Sequence, residues 1–215
     1  MRDARGSVAV ATRRIHAGNT APSPQIAAPT ASKLFRVGEQ ITLQGSATDA
    51  QDGSIPTSRL SWQVLLHHST HAHPFLGPQS GDNIQFTAPA PEDLAAAGNS
   101  YLEIRLTATD SAGLSRTISQ RLNPRKATLK FATKIGADAA SLNLVVQGVQ
   151  YATPKQVVSW DGYSITLNAP DQSGRVWSSW SDGAHARTPS QRPRAPKPTP
   201  LHTDKLPTTN PRPEA

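Results

Sequence analysis

Cysteine is absent from this 215-residue chain, which excludes structural disulfides and thiolate metal sites. Aromatic residues make up only 5% and the apolar set 36%, below the roughly 45–50% usual for globular domains when glycine is counted. Part of the chain is therefore expected to build no core. No run approaches the roughly 18–20 apolar residues of a membrane span, so no membrane insertion is expected. The N-terminal arginines are not followed by an apolar segment of about 7–15 residues, so no secretory signal is expected in this chain. Catalytic motifs are missing as well: there is no Gly-x-Ser-x-Gly, no phosphate-cradling glycine loop and no His-Glu-x-x-His. Serine, histidine and aspartate are scattered, and nothing positions a triad. The expectation is a protein that is not an enzyme.

What is present is basic and rich in proline. The net charge is +7, with 19 prolines. The charge lies at the ends: Arg2, Arg5, Arg13 and Arg14 precede residue 19, and Arg187, Arg192, Arg194, Lys197, Lys205 and Arg212 come after residue 183. The middle is close to neutral, which gives no electrostatic case for nucleic acid as a partner. Residues 184–215 carry prolines throughout and almost no large apolar group, the composition of a disordered tail.

Between these ends the pattern is that of strands. Ile41, Leu43, Gly45 and Ala47 alternate with Thr42, Gln44, Ser46 and Thr48. Leu60, Trp62, Val64 and Leu66 repeat the pattern, as do Leu102, Ile104, Leu106 and Ala108. Ile84 with Phe86, and Leu114 through Leu122, add further runs, and residues 24–28 fit a proline-flanked edge strand. Turns are expected at Asp52-Gly53, Gly81-Asp82 and Ala112-Gly113. Only residues 91–97 look helical, for one or two turns. The predicted fold class is all-β: an immunoglobulin- or PKD-like β-sandwich over residues 20–123, with Trp62 in its core, and a small β-domain over 127–183. Strands of the second unit are expected at 127–132, 142–147, 163–169 and 176–180. Residues 1–19 read as a linker or a remnant of an upstream domain.

Three constellations carry candidate chemistry. His67, His68, His71 and His73 fall within seven residues, and neutral imidazoles ligate zinc well. Adjacent strand residues face opposite ways, which works against all four meeting one ion. A turn at Ser69-Thr70 would fold His71 and His73 back toward His67; otherwise the segment is a polar loop. Asp49, Asp52 and Asp110 lie at turns and offer hard oxygen ligands suited to calcium, or else accept backbone N–H groups. Trp160, Trp177 and Trp180, with Tyr163, are candidates for a ligand-binding platform toward a sugar, although Trp177 and Trp180, three apart on a strand, fall on opposite faces.

Ser46-Ala47-Thr48-Asp49-Ala50-Gln51-Asp52-Gly53, Leu60-Ser61-Trp62-Gln63-Val64-Leu65-Leu66-His67-His68, His71-Ala72-His73-Pro74, Leu106-Thr107-Ala108-Thr109-Asp110-Ser111-Ala112-Gly113-Leu114 and Trp177-Ser178-Ser179-Trp180-Ser181-Asp182-Gly183 resemble the region C-terminal to the β-propeller in large bacterial secreted glucose/sorbosone-dehydrogenase-type proteins. The resemblance covers roughly residues 12–183. The propeller that binds pyrroloquinoline quinone lies upstream in such proteins and has no counterpart in this sequence, so no dehydrogenase residue carries over. Trp62 is followed by Gln63-Val64-Leu65, not by the PKD glycine-rich signature, and the pattern stops at Gly183 without a closing strand. A truncated or frame-shifted reading frame would account for both ends. The resemblance implies an extracellular or periplasmic location and a non-catalytic accessory module; the polar strand faces, the clustered histidines and the aromatic candidates add the expectation that it binds or spaces, with polysaccharide or a cell-surface glycan as partner. The alternatives are a fragment of a glucose/sorbosone-type dehydrogenase and a metal-binding sandwich using the histidine cluster. No cofactor is assigned; calcium and zinc are the ions that these candidate ligands would suit.

Overall fold

A computed structural model describes residues 17–175 and Trp180. The expected tail at 184–215, the strand at 176–180 apart from Trp180, and most of the N-terminal segment lie outside the described residues. The chain is all-β, as its alternation predicts. In order, the strands are β1 (Ser23–Ala28), β2 (Leu34–Phe35), β3 (Gln40–Asp49), β4 (Gly53–Ser54), β5 (Leu60–His68), β6 (His71–Ser80), β7 (Ile84–Thr87) and β8 (Tyr101–Thr109). They continue as β9 (Ser115–Pro124), β10 (Lys126–Phe131), β11 (Thr133–Ile135), β12 (Asp138–Ala140), β13 (Asn143–Val146), β14 (Val149–Ala152), β15 (Lys155–Trp160) and β16 (Leu167–Asn168).

Two sheets build the sandwich. One has five strands in the order β2-β9-β8-β5-β6, antiparallel except for the short β2–β9 pair. The other centres on β3, which pairs with β1, β4 and β7. Strict alternation on β8 buries Leu102, Ile104, Leu106 and Ala108 completely. They meet Ile41, Leu43 and Ala47 of β3 and Phe86 of β7 in one core, which is how a period of two forms a sandwich interior. Trp62 is fully buried, and its indole N–H donates to the Gly81 carbonyl at 3.0 Å. Its ring leaves no room at the facing glycine. A Cβ on Gly45 would come within 2.6 Å of the Gln25 carbonyl oxygen, 2.8 Å of Leu106 and 2.9 Å of Trp62.

The chain divides differently from the expected boundary at 123–127. Among the described residues, the first compact unit takes residues 17–129 and again Gln156–Tyr163, while the second takes Lys130–Lys155 and residues 164–175. β10 pairs with β15. Trp160, at the end of β15, is fully buried in the core of the first unit. It packs edge-on against Phe35 at 5.3 Å and donates to the Ala97 carbonyl at 2.9 Å. Asp161 is next in the chain; its backbone joins Val37 and Arg125, and its carboxylate lies 2.9 Å from Arg36. A linear reading misses this return because one aromatic residue after a turn-rich stretch carries no periodicity.

In the second unit, β13 pairs with β14 and β16, and β11 with β12. The expected long strand at 163–169 is only the two-residue β16. Residues 91–97 are not helical; 91–93 are irregular and a run of turns covers 94–99, with Asp93 accepting the Ala96 N–H at 2.6 Å.

Candidate functional site

The aspartates named from the sequence are held in structural roles. Asp49 Oδ1 accepts the N–H groups of Gln51 and Asp52 at 2.8 and 2.9 Å, shaping the β3–β4 turn. Asp52 reaches across to the β8–β9 turn, accepting the Ser111 N–H at 2.6 Å and its hydroxyl at 2.7 Å. These bonds, the backbone one foremost, hold the Asp52 carboxyl below its ordinary value. Asp110 accepts the Leu114 N–H on one oxygen and the Asn19 amide on the other, both at 2.7 Å. The three carboxylates do not bring their oxygens to a common point. Among the described residues, only His68, His73 and Glu92 gather three ligand atoms within 4.8 Å of one another.

The tryptophan platform fares no better at the residue level. Trp160 is fully buried, which removes it from any sugar-stacking surface. Trp177 lies outside the described residues, and Trp180 is half-buried.

The histidines sit on a hairpin instead of a loop. β6 is a ten-residue strand where the sequence suggested a polar connection. Pro74 and Pro78 mask it, because prolines are tolerated only where a strand has a free edge, and β6 pairs on one side alone, with β5. The turn falls at Ser69-Thr70 as expected, with Ser69 in the left-handed region at φ 49°. Its register differs from the expectation. His68 lies opposite His71, His67 opposite Ala72 and Leu66 opposite His73. Directly opposed residues share a face, so His68, His71 and His73 point one way and His67 the other.

On its own face His67 stacks flat on Tyr101 at 4.5 Å and pairs with Glu103 at 2.6 Å. Arg121 covers the Tyr101 ring at 3.6 Å, and Arg105 holds Glu103 at 2.7 Å. Arg105 lowers the Glu103 carboxyl below its ordinary value; burial opposes this and His67 adds to it. This outer face of the five-stranded sheet continues as hydroxyl pairs, Thr107 with Thr117 and Thr109 with Ser115.

On the other face the His68 and His71 rings lie 4.0 Å apart, and His68 and His73 5.3 Å apart. Glu92, from the connection between β7 and β8, places one oxygen 2.7 Å from His68 Nε2 and the other 2.5 Å from His73 Nε2. A cleft of about 270 Å³ at the hairpin tip is lined by residues 67–72, Asn99 and Tyr101.

No family model, curated protein or solved structure matches this chain. The chemistry of the site therefore rests on its own geometry. Two imidazoles and one carboxylate form a nitrogen-rich donor set suited to a borderline-soft ion, and a poor one for calcium. The sequence pointed to two of the three residues. Glu92 was missed because it comes directly after Pro91 in an irregular segment 19 residues beyond His73, and no spacing rule connects it to the hairpin.

Proposed function

We propose that this chain is a non-catalytic accessory module, one that binds or spaces, and that its contact surface is the outer face of the five-stranded sheet. The observation that carries the reading is the way its polar side chains are spent. Asp49, Asp52 and Asp110 fasten turns, and Glu103, Arg105, His67, Tyr101 and Arg121 lock one another into a flat polar array across β5, β8 and β9. Such an array offers fixed hydrogen-bond donors and acceptors to a polyhydroxylated partner at little ordering cost. A polysaccharide is the class we assign, and export to the cell exterior is inferred from the motif resemblance. Tyr101, half-buried, and Arg121, exposed, are the residues against which a sugar ring would rest.

The test is a set of thermal melts of the full chain against a panel of soluble polysaccharides, since a ligand that binds the native state raises the midpoint by mass action. We expect at least one neutral or acidic glycan to raise it, and Arg121→Ala to abolish that shift. Turnover of an aldose with a redox dye by the purified chain would overturn the non-catalytic reading.

A further inference from the structure

We propose that His68, His73 and Glu92 form a binding site for a divalent transition-metal ion, with zinc the best chemical match, at the tip of the β5–β6 hairpin. The site stands apart from the sheet face assigned to glycan, because the hairpin register sends His67 to that face and His68, His71 and His73 to the opposite one.

Three observations carry it. First, the donors come from separate parts of the sequence and still converge within 4.8 Å. Tetrahedral zinc with bonds of about 2.0–2.1 Å needs donor atoms roughly 3.3 Å apart. Glu92 places one oxygen 2.7 Å from His68 Nε2 and the other 2.5 Å from His73 Nε2, so each of these contacts falls short of that spacing by less than about 1 Å. Second, the arrangement is more than two hydrogen bonds. The His73–Glu92 contact has hydrogen-bond geometry, whereas His68 Nε2, although buried and 2.7 Å from Glu92, has no aligned partner. A buried imidazole nitrogen left unpaired is costly, and a metal ion would remove that cost. Third, two-strand pairing fixes the backbone under both histidines, so little ordering is required on binding. Glu92 and His73 are the more exposed pair, so the fourth position opens to solvent and takes a water molecule.

Zinc chloride titrated calorimetrically into the full chain tests this. The chain has seven histidines, and the His68→Ala/His73→Ala double variant keeps those outside the hairpin as a control for adventitious binding. Each variant is first checked for a native-like melt without metal. The expected result is one ion per chain, with affinity weakened by at least about tenfold in Glu92→Gln and in His73→Ala, as for loss of a metal-site partner, and unchanged in His67→Ala. Cobalt(II) should give the intense visible absorption of a low-symmetry nitrogen–oxygen site, lost in the same two variants. Wild-type affinity in folded Glu92→Gln and His73→Ala, or displacement of zinc by an equal concentration of calcium, would overturn the assignment.

Discussion

At the scale of single residues, the tightest constraint is Gly45. It is the position where β1, β5 and β8 all crowd the β3 backbone, and the first obstacle to a side chain is a carbonyl oxygen of the paired strand at 2.6 Å. A backbone atom cannot rotate away, so Gly45→Ala should cost about 1–3 kcal/mol by overpacking, read as a lower urea midpoint at unchanged slope. Glu103 makes a different prediction. Arg105, and after it His67, lower its folded-state carboxyl below the model-compound value of 4.5. A carboxyl lowered on folding stabilises the protein above its unfolded value, and that contribution disappears as the pH falls through the folded value. The stability gap between wild type and Glu103→Gln should therefore be fully present near neutrality. It should narrow below pH 4.5, as urea midpoints measured across a pH series would record. The core side of β3, β5 and β8 was legible residue by residue, because runs such as Leu102, Ile104, Leu106 and Ala108 repeat with the period of a pleated strand. The roles of Asp49, Asp52 and Asp110 were legible only as alternatives: an aspartate at a turn looks the same in sequence whether it accepts N–H groups or holds an ion.

At the scale of elements, the β5–β6 hairpin decides which histidines can act together. Two residues, Ser69 and Thr70, make the turn, and Ser69 adopts φ 49°, a region closed to β-branched side chains without strain. Ser69→Val should therefore destabilise the hairpin and weaken zinc binding without touching a ligand, whereas Ser69→Gly should keep the affinity. Calorimetry on the two variants distinguishes a register-dependent site from one that needs only nearby histidines. The turn was readable in the sequence, but the pairing was not. A one-residue slip exchanges the two faces of a strand, and although the apolar alternation of β5 sets the faces of His67 and His68, β6 has no apolar alternation to set those of His71 and His73. β6 was invisible for a related reason. Its prolines and exposed side chains are the marks of an edge strand, and those marks are shared with loops.

At the scale of the molecule, the first unit is closed by residues from beyond its own sheets. Trp160 fills the space beside Phe35 and Ala97, and Trp160→Ala should cost about 3–5 kcal/mol, as for other large aromatic truncations in cores. A chain ended after residue 124, where composition places the boundary, should melt below one ended after residue 163, a difference that calorimetry of the two fragments would show. Composition marks where a chain becomes polar or proline-rich. It does not mark where a later segment re-enters an earlier core, and that is why the class of fold could be read from the sequence while the division into units could not.

The late arrival of Trp160 also sets a schedule for synthesis. The last strand of the five-stranded sheet ends at Pro124, and the core is completed only by Gln156–Tyr163. At about 5–20 residues per second, the nascent sandwich waits on the order of two to eight seconds with Phe35 uncovered. During that interval the ribosome carries a nearly finished domain with one open apolar socket, the species on which a nascent-chain chaperone would act and at which a translational pause would do the most harm.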